Sequence, residues 1–118
     1  MATFQQHHDS LTRLETALDQ KVSELSTAIN QKEIRAEIKD LTSSIQGLLE
    51  RARVVAEEQE SEGEKGVMLD KLARHEKELD RLKGGVRKAT LQAQEAAQKR
   101  SAQERSELLE GVTGQSVR

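Results

Sequence analysis

The stretch that decides the fold runs from Val67 to Ala96: Val67-Met-Leu-Asp-Lys-Leu-Ala-Arg-His-Glu-Lys-Glu-Leu-Asp-Arg-Leu-Lys-Gly-Gly-Val-Arg-Lys-Ala-Thr-Leu-Gln-Ala-Gln-Glu-Ala96. Met68, Leu72, His75, Leu79, Leu82, Val86, Ala89, Ala93 and Ala96 recur in alternating steps of four and three. That is a heptad seam, the pattern of a long helix lying against other helices. Its residues shrink from Met and Leu to Ala along its length. Gly84-Gly85 interrupts it, at a helix-propensity cost of roughly 2 kcal/mol for the pair. Such a pair marks a kink or a close approach by another helix.

A second seam precedes it: Ile34, Ile38, Leu41, Ile45, Leu48, Ala52 and Val55, again in steps of four and three. Between the two lies Glu57-Glu-Gln-Glu-Ser-Glu-Gly-Glu-Lys-Gly66, without an apolar residue and with Gly63 and Gly66 to permit a reversal. Folding back there brings Met68 toward Val55, Leu72 toward Leu48 and Ala52, Leu79 toward Ile45 and Leu82 toward Leu41. Val86 then meets Ile38 and Ala89 meets Ile34. The expected fold is all-α: a long antiparallel helical hairpin.

An earlier stripe, Leu11, Leu14, Leu18, Val22, Leu25 and Ile29, begins just after Asp9 and Ser10, the better helix starters; Thr3 and Gln6 have capping-box spacing further out. The stripe jumps five residues to Ile34. Asn30 and Glu33 at that jump suit a new helix start, so a break is placed between about Ser26 and Lys32. Helices are expected over about 10–29, 31–59 and 67–106, with a flexible polar segment over 111–118. The first helix either folds onto the hairpin, making a three-helix bundle, or offers its stripe to a partner helix. Under the second option Leu11, Leu14, Leu18, Val22, Leu25 and Ile29 are the partner-binding residues.

Composition supports this reading. The chain has 118 residues, 34% hydrophobic and 34% charged, with one aromatic residue and neither proline nor cysteine. Good helix formers dominate, and the strongest helix breaker is missing. The apolar content fills helix seams but not a thick multilayer core. Nineteen basic and 21 acidic residues are well mixed, for a net charge of −2, without the basic stripe of a nucleic-acid binder. Apolar runs are too short to span a bilayer.

The chain has no Gly-rich phosphate loop, no Gly-x-Ser-x-Gly elbow, no His-Glu-x-x-His and no Cys/His zinc cluster. No catalytic residue, metal ligand or cofactor is therefore assigned. His7-His8 reads as a solvated terminus, and His75 as a partly exposed seam histidine.

Ala56-Glu57-Glu58-Gln59-Glu60-Ser61-Glu62, Glu64-Lys65, Leu69, His75-Glu76-Lys77 and Arg87-Lys88-Ala89-Thr90-Leu91 follow one another in a distinctive order. Over about Ile34–Leu91 the chain resembles the cytosolic N-terminal domain of the Sec-twenty family of endoplasmic-reticulum Qb-SNAREs. In that family an acidic turn precedes a long helix bearing an Arg-Lys-Ala-x-Leu element, usually after a tryptophan; Val86 stands there in this chain. The resemblance marks Arg87, Lys88, Ala89 and Leu91 as the family-like element. It implies a domain that docks on a helical subunit of the Dsl-type tethering complex, of the Tip-twenty or RINT type, in Golgi-to-ER retrograde transport. It further implies a place on the cytosolic face of the ER membrane, with a SNARE motif and anchor following the 111–118 linker and other SNAREs as partners of the longer protein. The alternative is a self-associating structural coiled coil.

Overall fold

A computed structural model describes residues 3–27 and 30–117, with side chains described through Leu109. Three helices make up the architecture among these residues: α1 (Phe4–Leu25), α2 (Gln31–Glu57) and α3 (Glu62–Val117). They form an up-down-up bundle in which α1 and α3 run parallel and α2 antiparallel to both. Phe4 near the start of α1 shares a groove with Val67 and Met68 of α3, and Val22 near its end lies beside Gly85. The first helix therefore takes the bundle option.

α1 starts at Phe4, well before the expected position near residue 10. Thr3 is its N-cap: the Thr3 hydroxyl accepts from the Gln6 amide, and the Gln6 side chain accepts from the Thr3 amide at 2.8 Å. The pair satisfies two otherwise orphaned donors, which makes this the stronger start signal than Asp9-Ser10. The extra turns bring Phe4 and His7 into the core. α1 ends at Leu25, and Asn30 occupies the N-cap position of α2. Its amide donates to the Glu33 carboxylate at 3.1 Å and caps no backbone group.

The second reversal is tighter than expected and sits earlier. It occupies 58–61, and Gly63 and Gly66 lie inside α3. Ser61 caps that helix: its hydroxyl accepts from the Glu64 amide at 3.4 Å, and its carbonyl from the Lys65 amide. Ser61-Glu62-Gly63-Glu64 is thus a cap signature that the two glycines obscured. At the C-terminal side α3 does not end near residue 106. Its backbone stays helical to Val117, and the 111–118 segment expected as a linker is helical up to that residue. Its 56 residues, at about 1.5 Å per residue, account for a molecule 86 Å long.

The core joins Phe4, Leu11, Leu18 and Leu25 of α1, Ile34, Ile38, Ile45, Leu49, Ala52 and Ala56 of α2, and Leu72, Leu79, Leu82 and Ala89 of α3. Leu14, Val22, Leu41, Leu48, Val55, Met68 and Val86 pack at its edge. Both expected hairpin seams face inward. On α2, however, burial moves from the Leu48/Val55 line to Leu49 and Ala56, because this helix faces two neighbours and needs a broader stripe than a simple hairpin seam.

Candidate functional site

The structure brings one chemically distinctive group together, between α1 and α3. His75, a seam position of α3, is only 6% exposed, and Glu15 of α1 only 9%. His75 Nδ1 lies 2.7 and 2.9 Å from the two Glu15 carboxylate oxygens. An ionised carboxylate only accepts, so Nδ1 carries the hydrogen. Nε2 of the same ring is 2.7 Å from Nδ1 of half-buried His8, and the two rings meet edge to face at 4.8 Å between centroids. Glu15, His75 and His8 thus form one hydrogen-bonded chain from the core to the edge of the bundle. No buried side-chain nitrogen or oxygen among the described residues lacks a partner.

Helix geometry puts the three together. His8 and Glu15 are seven residues apart in the sequence, so they occupy the same face of α1 about two turns apart, and His75 projects between them. The sequence suggests a solvated terminus for His7-His8 and a partly exposed place for His75. Instead His7 and His75 are buried, because α1 starts early and covers α3. The signal that was available is Glu15 itself. It follows Leu11 by four and precedes Leu18 by three, a seam position where a carboxylate requires a partner.

Surface pairs flank this cluster. Arg81 of α3 bonds Glu78 one turn away at 3.0 Å and reaches Asp19 of α1 at 3.4 Å. The hydrogen bond from Arg81 holds the Glu78 carboxyl below its ordinary value. Lys21 of α1 meets Glu37 of α2 at 2.8 Å and Glu24 at 3.3 Å, and these bonds raise its ammonium pKa. Arg53 of α2 pairs with Glu76 of α3. Thr12, Glu15, Thr16, Asp19 and Glu78 line a groove beside the buried pair. Among the described residues no group of three or more His, Cys, Asp or Glu side chains is placed to hold a metal ion, and no helix is long and apolar enough to cross a membrane.

The stripe assigned to a partner is already engaged. Leu11, Leu18 and Leu25 are fully buried within the chain's own bundle, and Leu14 and Val22 pack against the same core. Ile29 lies outside the described residues. A partner would have to displace α1 to reach those side chains. The family-like element divides by face: Ala89 is buried, whereas Arg87 and Lys88 are exposed and Leu91 is 59% exposed. From Gln94 to Leu109 every side chain of α3 is exposed. No protein-family model, curated protein or solved structure matches the chain.

Proposed function

We propose that the chain is a helical protein-interaction domain that docks through the outer face of α3, and that its partner is a helical subunit of a Dsl-type tethering complex acting in Golgi-to-ER retrograde transport. The observation that carries this reading is the outward presentation of Arg87, Lys88 and Leu91 on a helix whose opposite face is anchored by Ala89 and Ala93. Two cations beside an exposed leucine suit an acidic helical surface with an apolar groove. The resemblance of Ile34–Leu91 to the Sec-twenty family supplies the partner's identity, and with it the cytosolic face of the ER membrane as the place of action.

Titration calorimetry of this chain against the purified tether subunit tests the reading. Binding should weaken at least about tenfold, or about 1.4 kcal/mol, when Arg87, Lys88 and Leu91 are replaced together by Glu, Glu and Asp. Circular dichroism should show unchanged helicity, since none of the three is buried. No binding by the wild-type chain, or equal binding by the variant, would overturn it.

A self-associating coiled coil is the competing reading. The projecting helix beyond Ala93, with Leu108 and Leu109 exposed by 69% and 66%, favours it. Light scattering at micromolar concentration decides: a dimer that persists in the Arg87, Lys88, Leu91 variant supports self-association through that projection.

A further inference from the structure

The Glu15–His75–His8 chain, buried at Glu15 and His75 and half-buried at His8, has places for a limited number of protons. With neither ring charged, His75 donates through Nδ1 to Glu15, and its bare Nε2 accepts from Nδ1–H of His8. One added proton is equally well housed: His75 then donates through both nitrogens, and Nδ1 of His8 accepts. A second added proton has no such place. Two N–H groups would face each other across 2.7 Å, and two like charges would meet at a site where His75 is out of water.

We propose that Glu15, His75 and His8 form a proton-sharing latch that holds the N-terminal half of α1 on α3 while the two rings carry at most one charge, and releases it when both are charged. Charged and titratable groups face this chain from all three helices. On α1, Glu15 and Asp19 lie along the same groove as Glu78 of α3, and Arg81 spans Asp19 and Glu78. His7 is buried beside His8 on α1, while Arg74 and Glu76 flank His75 on α3. Lys71, one turn earlier on α3, lines the groove under Phe4. The cation reaching over from α2 is Arg53, and Glu76 already engages it.

The direction follows from linkage. The unfolded chain accepts a proton on each ring, whereas the latched chain accepts one between them. Latching therefore weakens as pH falls below about 6.5, where the unfolded chain comes to carry a proton on both rings. Glu15 retains His75, whose Nδ1–H faces the carboxylate in either state. His8, half-buried near the start of α1, is the ring that swings away, and Phe4, His7 and Leu11 lose cover with it. A buried polar pair that serves only to fix helix register would give no such response.

Amide hydrogen exchange on the full chain, followed by NMR and corrected for intrinsic rates, reads the latch directly. Between about pH 7.5 and 5 the protection of residues His7 to Leu11 should fall roughly tenfold, the scale of one lost side-chain hydrogen bond. Protection of Ile38 to Leu49 should hold. The double variant Glu15→Leu, His75→Leu should keep α1 protected across the interval, since an apolar pair can replace a buried polar one. His8→Ala provides a second variant that leaves the Glu15–His75 bond in place, and its α1 protection should likewise be flat. Unchanged protection in the wild type, or an equal fall in His8→Ala, would overturn the proposal.

Discussion

α1 meets α3 in two unlike ways. Along the N-terminal half of α1 the contact carries a polar chain, with Glu15 and His8 reaching His75 from the same face. Toward the C-terminal end it is close and apolar: a Cβ on Gly85 would stand 3.3 Å from Cγ1 of Val22. The first contact is held by hydrogen bonds whose strength depends on protonation. The second depends on the absence of a side chain and is indifferent to pH. One helix pair is thereby fastened by chemistry at one end and by shape at the other, with fully buried Leu18 between them.

Leu18→Ala should do the most damage, because it removes the apolar contact common to both ends. A loss of about 2–5 kcal/mol is expected from urea unfolding followed by far-UV circular dichroism. A loss below about 1 kcal/mol, short of that range, would mean that α1 contributes little to the folded state. Glu15→Ala comes next, at about 2–3 kcal/mol, since it leaves His75 buried without its acceptor. Its cost should exceed that of His8→Ala, whose ring is only half-buried.

The glycine pair separates the effects at the other end. Gly84 has open space around a built Cβ, with only the tip of Arg87 at 3.9 Å, so Gly84→Ala should stabilise the chain by about 1 kcal/mol. Gly85→Ala gains the same propensity but presses on Val22, and its net effect should lie near zero. Equal stabilisation by both substitutions would show that the close contact at Gly85 carries no cost. The smallest effect belongs to the surface: in Arg81→Ala the Glu78 carboxyl should titrate at higher pH, as followed by carboxyl NMR. The pair contributes above the ordinary carboxylate value and is lost as pH falls through the lowered one, so its removal should be felt on the acid side of that window least of all.

The fold was legible because heptad spacing is a local signal. Ile34–Val55 and Met68–Ala89 announce two helices without any knowledge of what they face. What was not legible depends on neighbours. Whether Leu11–Leu25 meets the hairpin or another protein is invisible to periodicity, and so is the shift of burial from Leu48 to Leu49 once α2 has two neighbours. Gly63 and Gly66 misplaced the turn because glycine suits both a reversal and the loosely bonded first turns of a helix, where its cost is small. The polar chain escaped for a different reason. A carboxylate and a histidine 60 residues apart become partners only when the helices are in register, although Glu15 within a leucine stripe was a visible anomaly. The close contact with Val22 gives Gly85 the explanation that propensity alone could not supply.

The unsupported part of α3 turns orientation into distance. Beyond Ala93 every side chain through Leu109 is exposed, yet the helical backbone runs on to Val117, about 36 Å further at about 1.5 Å per residue. A change of about 10° in the direction in which the bundle grips this helix displaces its far end by about 6 Å. The bundle therefore works as the short arm of a lever, and repacking at the Val22–Gly85 contact is magnified at the tip.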